Sequence, residues 1–517
     1  MTSTETHADT VHVRTCPLCE ATCGLEITVR DGAIARIRGD RDDVFSKGFI
    51  CPKGSTLRHL YEDPDRVRTP LVRREGELQP ATWDEAFAAV ADGLGRVWDD
   101  GDRDAVAIYL GNPTAHSVAG ALFVGPLVKA LGTRNVFSAS TVDQMPKHAS
   151  SGLLFGSAGA IPVPDLDRTD HLLMLGANPL ESNGSLCTAP DFPGRLAAIR
   201  ERGGRVVTVD PRRTKTAEAS DEHIAIRPGT DALWTAALVT EIDRAGLVRP
   251  GRLAEHLDGL DDVLAALAPF DADSVAAHTR IDPDTTRRVA RELADAPTAA
   301  VYGRIGTLML TTGPYDDLDM ATLLASPHGI DLGPLEPRLP EMLRTASGRI
   351  ELASPTLLDD VSRLRALLDE DADDQLLLVG RRHLRSNNSW MHNIEVLVKG
   401  RPRCTLQLHP VDALERGVEH GDDVVVRSDA GEVTAVAEVT DTVSVGTVSL
   451  PHGWGHGVEG TRGEVAARTV GVNSNELTTD TAIDPLSGNA RLNAIPVEVV
   501  RVAADHDADQ PLPVAGG

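Results

Sequence analysis

Short apolar runs that end in loop-forming residues recur through the middle of the chain. Ala105 to Leu110 (AVAIYL) runs into Gly111-Asn112-Pro113, His171 to Leu175 (HLLML) into Gly176-Ala177-Asn178-Pro179, and Arg205 to Val209 (RVVTV) into Asp210-Pro211-Arg212-Arg213. Each reads as a buried strand feeding a polar loop and then a helix. Arg227-Pro228-Gly229-Thr230-Asp231 opens a further helix in the same manner. Loops at the carboxyl ends of parallel strands are where α/β sheets bind nucleotides, and the repetition predicts such a sheet rather than unrelated turns.

From Asp374 onward the pattern shortens. Apolar strands are expected at Gln375 to Val379, Cys404 to Leu408, Asp423 to Arg427, Glu432 to Val439 and Gly446 to Leu450, with turns such as Gly421-Asp422 and Asp429-Ala430-Gly431 between them. That spacing predicts a barrel. Its polar loops include Arg385 to Asn393 (RSNNSWMHN) and His452 to Gly457 (HGWGHG). Ala503 to Gly517 is acidic and then proline-rich, the composition of a disordered tail.

Length and charge narrow the function classes. A chain of 517 residues, 41% hydrophobic with 46 glycines and 32 prolines, exceeds one core and suggests about three or four globular domains. Met1 to Thr15 is polar and lacks a signal core or paired arginines, and no apolar run reaches bilayer length, so a cytoplasmic location is expected. The net charge of −26 argues against nucleic acid or an anionic membrane as the main partner. Among the six lysines, Lys53 stands apart because it follows Cys51 by two residues.

Cys16, Cys19, Cys23 and Cys51 stand in the order C-x2-C-x3-C-x27-C, followed by Pro52, Lys53 and Gly54. A compact triplet with one distant partner suits a cubane iron-sulfur cluster, for which four thiolates complete the terminal coordination. The rival is structural zinc, which more often takes two short C-x-x-C knuckles. Cys187 and Cys404 are isolated and read as small buried residues.

The cysteine pattern, the loops GANPLESNGS and VDPRRTKTAEASDEHIAIRPGTDAL, and the C-terminal SNNSWMHN, LPHGWGHG and DPLSGNARLNAIPVEV together resemble the molybdopterin oxidoreductases that include formate dehydrogenases and cytoplasmic nitrate reductases. The resemblance covers nearly the whole chain. It implies an α/β multidomain fold with an N-terminal 4Fe-4S domain, parallel-sheet dinucleotide-binding domains and a C-terminal double-psi β-barrel. It also implies a 4Fe-4S cluster beside a molybdenum or tungsten ion held by two molybdopterin guanine dinucleotides. The expected division is 1–70 for the cluster, 71–135 and 136–306 for α/β parts, 307–370 as a connection, 371–502 for the barrel and 503–517 for the tail.

Residue roles follow from the same resemblance. Cys16, Cys19, Cys23 and Cys51 match the cluster ligands, and Lys53 matches a lysine placed between cluster and pterin; a bland reading makes Lys53 an exposed helix-start residue. Asn178, Ser182 and Asn183, then Asp210 and Arg212, then Gly229, Thr230 and Asp231 match dinucleotide contacts, where carboxylates accept guanine N–H groups and arginine or backbone amides meet phosphate. In the barrel His383, Arg385, Ser386, Asn388, Ser389 and Asn489 fall in pterin-binding loops. Asp143-Gln144-Met145-Pro146-Lys147-His148-Ala149-Ser150 matches the segment that carries the metal's protein ligand, which puts Asp143 on the metal. A carboxylate is a hard donor suited to oxidised molybdenum. Ser138, Ser140 and Thr141 are alternative oxygen donors, and Asp143 could instead be an N-cap.

Two departures from the family pattern stand out. Gln144 replaces the family's histidine next to the metal ligand. The strand at Tyr302 to Thr307 runs almost directly into a segment, Leu308 to Tyr315, that resembles one well beyond it, so part of the second α/β domain is expected to be missing near Thr307. Such a loss is expected to expose an apolar face or to leave one cofactor poorly held. The expected function is two-electron chemistry on formate, nitrate or another small molecule, with electrons exchanged with a ferredoxin or flavoprotein. The alternatives are an inactive truncated member or iron-sulfur electron carrier, and a zinc-stabilised nucleotide-binding protein.

Overall fold

The computed structural model describes residues 9–98, 101–111, 114, 116–184, 187, 189–303, 322, 325–334, 336–370 and 375–502. The expected gap near Thr307 and the expected tail from Ala503 lie outside these residues.

Three strands, β1 (Thr10–Thr15), β2 (Gly24–Arg30) and β3 (Ala33–Gly39), form an antiparallel sheet from which the cysteine loop projects between β1 and β2. A hairpin of β4 (Leu71–Arg74) and β5 (Glu77–Pro80) follows. Next come a helix at Trp83–Trp98, the strand β6 (Ile108–Leu110), a helix at Val118–Leu131 and the strand β7 (Val136–Ser138), with β6 and β7 paired in parallel.

The α/β centre is a four-stranded parallel sheet. It contains β8 (His171–Leu175), β9 (Arg205–Val209), β10 (Glu222–Ile224) and, beyond the short β11 (Leu257–Asp258), β12 (Ala299–Gly303), in the order β10-β9-β8-β12. Strand alternation explains why it needs helices on both faces. Leu172 and Met174 pack with Phe192, Leu196, Ile199 and Tyr302 on one side, while Leu173 and Val207 pack with Trp234, Leu238 and Val289 on the other. The strands at His171 and Arg205 are buried as expected. The stretch Ala105 to Leu110 differs: a single turn of 3-10 helix occupies Arg103–Ala105, only Ile108–Leu110 is strand, and no residue of that strand is buried. With β7 alone beside it, β6 lacks the flanking strands that bury a parallel sheet.

After β13 (Ile350–Glu351), the C-terminal third is a closed barrel of β14 (Leu376–Arg381), β15 (Thr405–Leu408), β16 (Asp423–Arg427), β17 (Glu432–Val439), β18 (Thr447–Pro451) and β19 (Ile495–Arg501), in the order β14-β18-β15-β17-β16-β19. The pairs β14·β18 and β15·β17 are parallel and the others antiparallel, the mixed closed barrel that the resemblance implies. Alternation along β17 sends Val433, Ala435 and Ala437 into a core shared with Leu406, Val424, Val448 and Val497. The closing strand β19 was not among the strands expected from sequence.

Candidate cluster and cofactor site

The cysteine loop is closed by its own backbone. Cys16 N–H donates to the Cys23 carbonyl at 2.9 Å and Thr22 N–H to the Cys19 carbonyl at 3.2 Å, with Thr22 in the left-handed region at φ 43°. Cys51 immediately precedes a short helix, Pro52–Ser55, whose Ser55 N–H donates back to the Cys51 carbonyl at 3.2 Å. Cys16, Cys23 and Cys51 are buried and Cys19 is half-buried. Lys53 is 4% exposed, so it is not a surface lysine.

Burial pushes the Cys16 thiol up to about 11 and the Cys23 thiol to about 12, and raises Cys19 as well; Lys53 pulls Cys16 and Cys19 the other way. Bound cationic metal is what turns such thiols into thiolates. Among the described residues, no three of these sulfurs lie within 4.8 Å of one another. Four thiolates on one zinc ion, at Zn–S of about 2.3 Å, would bring the sulfurs to roughly 3.8 Å. The donor set therefore fits a larger cluster better than a single ion.

The barrel brings a second loop against this one. Cys16, Leu18, Ala21, Cys23 and Leu25 share an apolar core with Met391, Ile394 and Leu397. Asn387 Nδ2 donates to the Leu18 carbonyl at 3.2 Å. Asn393 Nδ2 donates to Asp63 at 2.8 Å, and Glu464 N–H to Asp65 at 2.7 Å. The loop carrying Arg385, Ser386, Asn388 and Ser389 thus lies against the cysteine loop. Asn388, left-handed at φ 51°, bonds through Oδ1 to His452 Nε2 at 2.9 Å, and the Ser389 carbonyl accepts from His392 N–H at 3.3 Å. His383 Nδ1 accepts from the Arg385 N–H at 3.1 Å; burial, reinforced by Arg403 and Lys215, lowers its titration to about 4. Arg381, His383, Arg385, Ser386, His392 and Trp454 are among the residues lining a cavity of about 20 Å³, room for a water molecule.

The strand-end residues of the α/β sheet meet the barrel from the other side. Asn178 Oδ1 accepts from Thr216 at 2.6 Å, Ser182 Oγ donates to the Asn178 carbonyl at 3.2 Å, and Asn183 ends that turn at φ 59°. Asp210 Oδ1 accepts from the Arg212 N–H at 2.8 Å, while the Arg212 guanidinium reaches Gln407 of β15 at 3.1 Å. Arg213 N–H and Ser444 N–H bond across to Thr442 and Pro211, fixing the contact. Gly229 sits at φ 85° with Ala494 Cβ 3.0 Å from where a side chain would begin, so a larger residue is excluded there. Thr230 Oγ1 donates to the Arg227 carbonyl at 2.8 Å, and burial raises the Asp231 carboxyl. Asn489 Nδ2 donates to the Ala490 carbonyl at 3.1 Å, and Ala490 N–H to the Thr141 carbonyl at 2.6 Å.

Asp143 closes the short helix Ser140–Asp143 and is not its N-cap, which is Ala139. Its carboxylate lies 3.7 Å from Arg382, the residue before His383. The rival donors are engaged locally: Ser138 Oγ donates to Ser140 Oγ at 2.9 Å, and Thr141 Oγ1 donates to the Ser138 carbonyl at 3.4 Å. The Arg212 Nε, Glu181 Oε2, His392 Nε2 and Asn489 Oδ1 atoms are buried without hydrogen-bond partners. Unpaired buried polar atoms are costly in a finished protein, and these four, among others elsewhere in the described residues, could meet a polar group seated between the loops.

Several residues here escaped the sequence reading. His392 Nδ1 and His456 Nε2 are 2.8 Å apart, and the His392 ring stacks on Trp454 with centroids 4.0 Å apart. The signal was present as two loops rich in Trp, His and Gly, but nothing in sequence joined them. Lys215 pairs with buried Glu181 at 2.9 Å.

Three family descriptions match the chain: Molybdopterin oxidoreductase Fe4S4 domain over residues 10–62, Molybdopterin oxidoreductase over 66–248 and Molydopterin dinucleotide binding domain over 376–496. A nitrate reductase of Symbiobacterium thermophilum is 28% identical over 304 residues, 56% of this chain and 39% of that protein. The F420-dependent formate dehydrogenase 2 subunit alpha of Methanococcus maripaludis is 26% identical over 302 residues, 58% of this chain and 43% of that protein. The chain thus spans about two fifths of the length of these relatives. In fold it is similar to acetylene hydratase from Pelobacter acetylenicus, with a TM-score of 0.75 at 15% identity over 95% of this chain and 100% of that one. No helix among the described residues is long and apolar enough to cross a membrane.

Proposed function

The chain belongs to the molybdopterin oxidoreductase family, and from that premise we propose that it carries out a two-electron conversion of a small oxyanion or formate. Its cofactors are a 4Fe-4S cluster and a molybdopterin dinucleotide. We propose two guanine dinucleotides on one molybdenum or tungsten, with electrons leaving or arriving singly through the cluster. When bound, the metal supplies the two-electron redox change and the oxygen or hydride transfer.

The protein's own residues bind, tune and position. Cys16, Cys19, Cys23 and Cys51 hold the cluster. Lys53, buried beside two of their thiols, stabilises the more negative reduced state. Arg212 and Asn489 offer a buried donor and a buried acceptor to the dinucleotides, Asp210 and Asp231 accept guanine N–H groups, and the backbone at Gly229 and Thr230 leaves room for phosphate. His383, Arg385, Ser386, Asn388 and Ser389 line the pterin beside the cluster, with Asn178, Ser182 and Asn183 opposite. Asp143 is the metal's protein ligand, oriented by Arg382. An oxygen ligand with Gln144 in place of histidine favours nitrate reduction, which takes up two electrons and two protons to give nitrite and water, over formate oxidation.

The observation that carries this reading is the shared core of the cysteine loop and the loop at Met391 to Leu397. It supports an electron carrier held beside the proposed pterin-binding loops. The proposed location is the cytoplasm, with a ferredoxin or flavoprotein as the electron partner. Anaerobically purified protein should hold about four irons, one molybdenum or tungsten and two extractable guanine dinucleotides. Iron without pterin would leave only an electron carrier, and zinc alone would overturn the redox reading. In Cys19→Ser the cluster's visible absorption should vanish; a wild-type-like spectrum would sink the ligand assignment.

A further inference from the structure

The helix Met145–Phe155 begins two residues after Asp143 and turns one side to the interior. Its buried residues are Ser151 and Phe155, and Lys147 stands four and eight positions before them. Residues at these spacings share a helix face. Lys147 thus lies on the inward face, and it is itself half-buried. His148, the next residue, points elsewhere, with Nδ1 2.8 Å from the Ala158 carbonyl.

No counter-charge answers Lys147. Among the described residues no carboxylate faces its ammonium. The Asp143 carboxylate, four positions earlier, lies 3.7 Å from Arg382. The titratable neighbour of Lys147 is Cys187. Burial pushes that thiol up to about 12, so at neutral pH it carries no charge. Cys187 N–H donates to the Gly184 carbonyl at 2.9 Å, which places it at the end of the loop that carries Asn178, Ser182 and Asn183. Lys147 therefore stands between the helix that follows Asp143 and the β8 loop. Burial opposes its charge, and a cation drawn out of water calls for an anion beside it.

We propose that Lys147 binds the substrate at the metal centre, its positive charge selecting a small monovalent oxyanion such as nitrate or formate. This rests on the reading of Asp143 as the metal's ligand and adds the group that recognises the substrate. The residues from Asp143 to Lys147 span at most roughly 14 Å, and a lysine stem is flexible enough to turn toward an anion held on the metal. The dinucleotide phosphates are the other anionic oxygens at the proposed site. They have Arg212 and the backbone at Gly229 and Thr230, whereas Lys147 belongs to the segment that carries the metal ligand.

In the cofactor-loaded protein, azide, a small anion, can be titrated against the paramagnetic signal of the molybdenum. Lys147→Met keeps most of the volume and should weaken azide about ten-fold, as loss of a half-buried charge partner does. Lys147→Arg keeps the charge and should bind azide like the wild type. Dimethyl sulfoxide, a neutral oxygen donor, should affect all three alike, with iron, molybdenum and pterin contents unchanged. Equal azide affinity in wild type and Lys147→Met, or an affinity as weak in Lys147→Arg as in Lys147→Met, would overturn the proposal. So would loss of pterin from Lys147→Met, which would make Lys147 a cofactor contact. Each of these leaves the metal reading standing, whereas wild-type protein without molybdenum or tungsten would overturn that reading and the proposal with it.

Discussion

Asn387 Nδ2 donates to the carbonyl oxygen of Leu18 at 3.2 Å, joining a barrel loop to the cysteine loop across 369 positions of sequence. The bond pins the cysteine loop to the proposed pterin loop. Replacing Asn387 with Ala should cost about 1 kcal/mol, the usual net value of such a bond. The variant should retain its iron but lose it faster in air. Thermal unfolding and the decay of visible absorption measure the two effects, and unaltered values of both would remove the bond from the coupling of the domains.

The proposed role of Lys53 is to act on the cluster through charge. Lys53→Met keeps most of the side-chain volume while deleting a buried cation beside Cys16 and Cys19, whose thiols it pulls down. The cluster's midpoint potential should drop with iron content unchanged, because the reduced state loses its stabilising neighbour. A potential equal to that of the wild type would make Lys53 structural.

Asp143→Ala tests the metal's protein ligand. The paramagnetic spectrum of the molybdenum centre should change while the cluster signal stays. If the molybdenum spectrum is the same, the metal's protein ligand is a residue other than Asp143.

The histidine pair sets a stability slope. Burial lowers the titration of His392 to about 4 from its ordinary 6.5, with His456 close by adding to the shift, and His383 is lowered to about 4 for the same main reason. Between pH 6.5 and 4 the unfolded chain therefore binds more protons than the folded one. Stability is fully present above the unfolded value and falls as the pH drops through that window. Melting temperature followed from neutral pH to pH 4 should decline, and less steeply in His392→Asn.

Trp234 is fully buried and its Nε1 donates to Thr286 Oγ1 at 3.0 Å. Thr286→Val preserves shape but strands that donor, so denaturant unfolding should show a loss of about 1–3 kcal/mol. A neutral result would mean that the indole finds another acceptor.

What could be read from sequence was local. The runs at His171 and Arg205 are buried parallel strands because each carries apolar residues on both faces. The cluster domain is legible because a cluster needs cysteines at permitted spacings, and an Fe4S4 domain description matches residues 10–62. Ala105 to Leu110 misled, since the same apolar run stays exposed when no neighbour covers it. Ile495–Arg501 was missed because its outer residues Glu498 and Arg501 break the apolar run, although alternate positions Ile495, Val497 and Val499 face the barrel core. The pairing of His392 with His456 depends on barrel closure, a long-range event with no local trace.

Barrel closure also fixes the order in which this protein can mature. The packing partners of the cysteine loop, Met391 to Leu397, come some 340 residues after Cys51, which at the usual 5–20 residues per second is a delay of roughly tens of seconds. β19 joins β14 to β16, so the loops that would grip the pterins take their final positions only after residue 501 has been made. Through that interval the four thiols stand without their barrel cover. On the proposed site assignment, iron-sulfur assembly can precede closure whereas pterin loading must wait for β19, so starving cells of molybdenum should leave a folded, iron-loaded intermediate rather than an unfolded one.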